Sequence, residues 1–127
     1  MTTVVFANAV DVLLKYLRPA RSDVTFGTGV GTDRPLVQLR RVGGVAERVT
    51  DRPRVDLLVW HTSEFKAQGL AQELRSLLLF DLPGQVVDGH TVYDLTEFSG
   101  PSAFPDPAGS DQPIVLFTVE IGIRGAT

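Results

Sequence analysis

The chain has 127 residues, 43% of them hydrophobic and 21% charged, a balance that fits one soluble globular domain and excludes disordered and fibrous classes. Cysteine is absent, which excludes disulfides, thiolate nucleophiles and Cys-ligated zinc and suits a reducing compartment; two histidines leave little from which to build a His-rich metal centre. The net charge of −3 is unevenly spread, with six arginines (Arg34, Arg40, Arg41, Arg48, Arg52, Arg54) against Glu47 and Asp51 in residues 34–54, and seven acids against Arg124 in residues 76–127. Neither a net basic charge nor aromatic residues interleaved with cations is present, so the pattern is not that of a nucleic-acid binder.

Along the chain, Val5, Phe6, Ala9, Val10, Leu13, Leu14 and Leu17 recur at helical spacing and predict a first helix ended by Pro19. No basic segment of a signal peptide precedes it, and no apolar run approaches the ~20 residues of a membrane span. Val24 and Phe26 read as a short strand before the loop Gly27-Thr28-Gly29-Val30-Gly31. Leu36 to Val42 reads as a strand, Gly43-Gly44 as a turn, and Val45–Thr50 as a weakly patterned return limited by Pro53. Arg54–His61 alternates apolar residues on both faces, which predicts a central strand. Thr62 or Ser63 can cap a second helix with the stripe Phe65, Ala67, Leu70, Ala71, Leu74, Leu77 and Leu78, stopped by Leu82-Pro83-Gly84.

Val86-Val87 and Val92–Phe98 flank Asp88-Gly89, a strong hairpin signal. The stretch 100–113 holds four prolines and two glycines and reads as a long loop, a kind that tends to carry function. Phe98 and Phe104 lie in or beside it and either fold back on the core or enter a partner. Ile114 to Ile123 alternates strictly and predicts a strand with Val115, Phe117, Val119, Ile121 and Ile123 on its core face. The sum is a single α+β domain over residues 1–127, an antiparallel or mixed sheet with two helices packed on one face.

Candidate chemistry is sparse. The glycine loop leads into a strand rather than a helix and has no Gly-Lys-Ser/Thr, so it lacks the context of a phosphate loop. Asp56, His61 and Ser63 can be written as a hydrolase triad, but no G-x-S-x-G elbow is present, and capping accounts for the serine. His90, in its turn beside Asp88, reads as solvated. Asp94, Glu97, Asp106 and Asp111 match no EF-hand spacing and are explained by turn formation. The expectation is a protein without enzymatic activity, cofactor or metal. The charge asymmetry is either a set of solvated faces or complementary patches that meet between copies.

The chain order brings together the P-x-V-x-L strand (Pro35, Val37, Leu39), the R-V-D-L-L-V-W strand, the A-x-x-L-A-x-x-L helix (Ala67, Leu70, Ala71, Leu74), the G-P-S-A-F-P-D-P loop and the closing V-L-F-T-V-E-I-G-I-R strand. In this order and length it resembles the tail terminator (tail completion) proteins of long-tailed phages, particularly of actinobacterial hosts; ten arginines to two lysines agree with a GC-rich coding background. The resemblance spans nearly the whole chain and rests on pattern, with no catalytic motif to carry over. It implies a small α/β subunit of the virion, assembled in the host cytoplasm into a homohexameric ring on the tail tube. Such a ring stops tube polymerisation, meets the head-side connector and leaves a channel through which DNA passes as cargo, with no membrane involved.

The Gly100–Pro107 segment matches the family's Pro-rich loop, which makes Phe98, Pro101, Phe104, Pro105 and Asp106 candidate contact residues. The basic segment, with Arg40, Arg41, Arg48, Arg52 and Arg54, has no motif that fixes its role; the charge pattern suggests that it approaches the acidic last third of a neighbouring copy, with the region around Pro53 turn-like and exposed. The alternatives are a head-side neck or connector protein, a tube subunit, a small-molecule-binding regulatory domain, and an enzyme using the late carboxylates.

Overall fold

The computed structural model describes residues 5–47 and 50–124. Helix α1 runs from Ala9 to Ala20, not from Val5, because the Asn8 side chain accepts from the Asp11 amide and caps it there. Val5 and Phe6 precede that cap, and Val5 is exposed. Pro19 sits inside the last turn rather than beyond it. Strand β1 (Thr25–Gly27) then pairs parallel with the start of β2 (Leu36–Glu47), and β2 pairs antiparallel with β3 (Thr50–Trp60). Ser63, not Thr62, caps helix α2 (Glu64–Ser76) by accepting from the Lys66 amide. A π-helical turn, Leu77–Asp81, follows, and β4 (Val86–Val87), β5 (His90–Phe104) and β6 (Ile114–Arg124) complete the chain.

The strands form one mixed, curled six-stranded sheet in the order β1-β2-β3-β6-β5-β4. Helix α2 carries the chain from β3 to the far edge, and the hairpin β4–β5 returns it so that β6 slots between β5 and β3. Strand β3 is thereby central, as its two-sided apolar pattern predicts. Asp88 and Gly89 both take positive φ between the paired Val87 and His90, the two-residue reversal that their sequence encodes.

Both helices pack on one face of the sheet. Val12, Leu13 and Leu17 of α1, and Leu70, Leu74 and Leu78 of the second helical segment, meet Val37, Leu39, Val55, Leu57, Phe117, Val119 and Ile121. This is the odd-numbered face of β2, β3 and β6, where alternation places it. The π-helical turn closes on a hydrogen bond from the Leu82 amide to the Leu77 carbonyl at 3.0 Å. It keeps Leu78 and Leu82 buried and turns Phe80 outward.

Four expectations are corrected. Gly43-Gly44 is not a turn: β2 passes through it with a bulge between Arg41 and Gly43 and pairs on to Glu47 against Thr50, and positive φ at both glycines supplies the bend. The reversal at residues 48–49 lies outside the described residues. The region around Pro53 is therefore strand, and Pro53 is buried rather than exposed, opposite Gly44. The loop 100–113 is shorter than its prolines suggest, because Gly100–Phe104 continues β5; one register shift, between Glu97 and Ser99, takes up Phe98, and a second, between Ser99 and Ser102, takes up one extra residue at Gly100-Pro101. Phe65 does not belong to the buried stripe and is 89% exposed; at 100° per residue it lies about 200° around the helix from Ala67.

Candidate functional site

With both helices on one face, no helix among the described residues covers the other face of the sheet, and only loops close over one end of it. That face is built from the even-numbered residues of β3 and β6 and of β2 as far as its bulge, beyond which Val45 and Glu47 lie opposite Arg52 and Thr50, joined by β5 residues around its own bulges. At one end it is apolar: Leu36, Leu58, Trp60 and Ile114 form a second small cluster, with Phe104 and Leu116 packed against it. Phe104 thus folds back onto its own chain. Pro107 and Ala108 from the loop after β5, with Val30 and Gly31 from the glycine loop, bound a shallow cavity of about 430 Å3 over Trp60.

Toward the other end the face is charged, and most charges are matched within the chain. Asp56, buried, accepts from Arg40 Nε at 3.2 Å and from the Thr118 hydroxyl at 2.6 Å. Arg52 Nη1 lies 3.3 Å from Asp94 Oδ1, and its Nε lies 3.8 Å from Glu47. That first pair reaches from β3 to β5 across β6 because residue 122 is glycine: a Cβ there would stand 2.5 Å from Asp94 Oδ1.

Arg54 is different. Its guanidinium lies over the Phe98 ring, 4.0 Å from the centroid, a favourable cation–π placement. Its Nε is sealed from solvent and has no hydrogen-bond partner. Glu120 stands opposite it in the β3–β6 register, yet among the described residues neither forms an ion pair.

The remaining candidates are scattered. Arg41 points to the helix side, where both its terminal nitrogens reach Asp51, at 3.1 and 3.2 Å, beside the start of α1. Asp51 is 2% exposed, so this pair is expected to matter for stability. Replacing Arg41 with Ala leaves the carboxylate buried without its partner and should cost about 1–3 kcal/mol. The double variant Arg41→Met, Asp51→Leu should regain part of that, a comparison that chemical denaturation reads directly. Arg48 lies outside the described residues. Pro101 and Asp106 are half-buried, Pro105 is exposed, and Phe98 remains 55% exposed.

The residues of the hydrolase reading are not brought together: Asp56 is held by Arg40 and Thr118, the His61 ring accepts from the Thr62 amide, and Ser63 caps α2. The late carboxylates separate as well. Asp94 binds Arg52 on the uncovered face, Glu97 binds Arg75 of α2 on the helix face, and Asp106 accepts from the Ala108 amide in its own loop. Among the described residues no group of three or more His, Asp or Glu is placed to hold a metal ion. No helix among them is long and apolar enough to cross a membrane.

Sequence reasoning missed the roles of Asp51 and Asp56 as buried partners of arginines, since each stands in a strand pattern with nothing to mark it as the partner of an arginine on the neighbouring strand β2. It also missed Phe80, whose outward aim depends on the π-helical turn. Compared with known proteins, the sequence matches no family model and no curated protein.

Proposed function

We propose that this chain is a structural subunit of a long-tailed phage virion, a tail terminator that caps the tail tube as a homohexameric ring. In that role it stops tube polymerisation, offers the head-side connector a surface and lets DNA pass as cargo through the central channel. The observation that carries the reading is the sheet face that neither helix covers, closed over at its apolar end by Phe104 and the flanking loops, and open and charged at the other. A sheet face without a covering layer is a natural contact surface between subunits. The side chains on it engage one another instead of converging on a reacting centre, which suits a part of an assembly. The order of elements on which the resemblance rests also folds into one continuous sheet.

The test is mass and shape in solution, by sedimentation and electron microscopy, with the protein alone and with the tube protein it would cap. Closed rings of six, formed alone or only on the tube, are the expected result. A chain that stays monomeric in both settings, at concentrations well above those of assembly, overturns the proposal.

A further inference from the structure

The basic segment does not act as a block. Arg40 and Arg52 are matched on the uncovered face by Asp56, Asp94 and Glu47, and Arg41 is matched on the helix side by Asp51. Arg34 donates to the carbonyls of Gly31 and Asp33 in its own loop. Arg54 alone presents a guanidinium stacked on an aromatic ring with no ion pair among the described residues; its Nε is sealed inside the chain, so its two terminal nitrogens are the ones a carboxylate from outside can meet. A planar fork held flat on a ring is preorganised to take a carboxylate in two parallel hydrogen bonds.

The acids of the last third identify the donor of that carboxylate by elimination. Asp88 is taken by Lys15, Asp94 by Arg52, Glu97 by Arg75, and Asp106 by its own loop's amide. Asp81 accepts from the Tyr16 hydroxyl. Glu120, opposite Arg54 in the register, forms no ion pair among the described residues either, but it is half-buried in the middle of β6 and is not offered to another copy. Asp111 is the exposed acid of this set without an ion pair among the described residues, and it stands on the loop between β5 and β6. The same loop offers apolar contact through its prolines, which suits the apolar Phe98 ring at 55% exposure.

We propose that Arg54, stacked on Phe98, receives the Asp111 carboxylate from the 105–113 loop of a second copy of this chain. The contact is heterologous, using two different patches of each subunit, and so propagates head to tail until it closes. This inference rests on the ring reading above and assigns it one contact.

Charge exchange tests it, with self-association of the parent, Arg54→Glu, Asp111→Arg and the double variant followed by sedimentation, alone and on tube protein. Each single change is expected to weaken association roughly tenfold or more, as loss of a desolvated interfacial pair does, and the double variant to regain most of it. Asp111 is on an exposed loop, so its variant should melt like the parent and report on contact alone even if Arg54→Glu folds poorly. Asp111→Arg assembling as the parent does, or a folded double variant no better than the singles, overturns the contact while the ring stands. A parent that never assembles overturns the ring reading, and this contact with it.

Discussion

Phe117→Ala is expected to destabilise the domain by about 3–5 kcal/mol, the range for deleting a buried aromatic side chain. Phe117 is fully buried at the middle of β6, the strand that joins the two halves of the sheet, and is cross-strand from Leu57 of β3. It belongs to the cluster that α1 and α2 both cover, so the cavity left by truncation would open between the sheet and its helical layer, where rigid elements on both sides limit collapse. Thr118, one residue on, faces the other way and donates to Asp56; its truncation tests a polar contact instead. Chemical denaturation of Phe117→Ala with the midpoint and slope both measured reads the cost. A loss under about 1 kcal/mol, well below that range, would mean that the helical layer repacks freely.

The same strand shows why much of this fold is legible in the sequence. The apolar residues at every second position from Val115 to Ile123 admit one reading, and burying Val115, Phe117, Val119, Ile121 and Ile123 together fulfils it, while Ile114 and Leu116 add to the Trp60 cluster on the other face. The two-sided apolar pattern of Val55 to Trp60 likewise reports a strand with something on both faces, the helices on one and the Trp60 cluster on the other. What failed was punctuation. Gly43-Gly44, Gly100 and Pro101 carry the chemistry of turns, but here they sit within strands, because local propensity cannot tell a bulge that bends a strand from a turn that reverses it. The error at Gly43-Gly44 then displaced Pro53 and Arg52 from a strand into an imagined exposed turn.

The candidate site was legible in kind and not in arrangement. Arginines at 40, 41, 52 and 54 are visible as a basic run, but their separation into matched and unmatched members depends on acids brought from 51, 56 and 94 by strand pairing. No local spacing encodes that. Phe98 and Phe104 look equivalent in sequence, yet the register shifts of β5 leave one half-exposed beneath a guanidinium and lay the other on Leu36 and Trp60's cluster.

Gly44→Ala is the second substitution expected to have a large effect, and it tests the bulge itself. Gly44 takes a φ of 98°, and a Cβ there would collide with the Arg52 carbonyl and stand 2.6 Å from the Pro53 Cα. Both obstacles are backbone, so no side-chain rotation relieves them. A residue with a Cβ is strained at this φ before any contact is counted, and strain alone costs on the order of 1–3 kcal/mol; with the overlap the total should reach about 3 kcal/mol or more. Gly43, also at positive φ but with open space around it, is the control: its alanine variant bears the strain without the collision and should lose clearly less. The two differ in consequence too. Relief at Gly44 requires β2 to move off β3, which would disturb Arg41 against Asp51 and Arg52 against Asp94 on opposite faces of the sheet, so hydrogen exchange in Gly44→Ala should rise along Arg41–Glu47 and Thr50–Arg54. Equal losses for the two glycine variants would mean that β2 and β3 do not approach as closely there as this register requires.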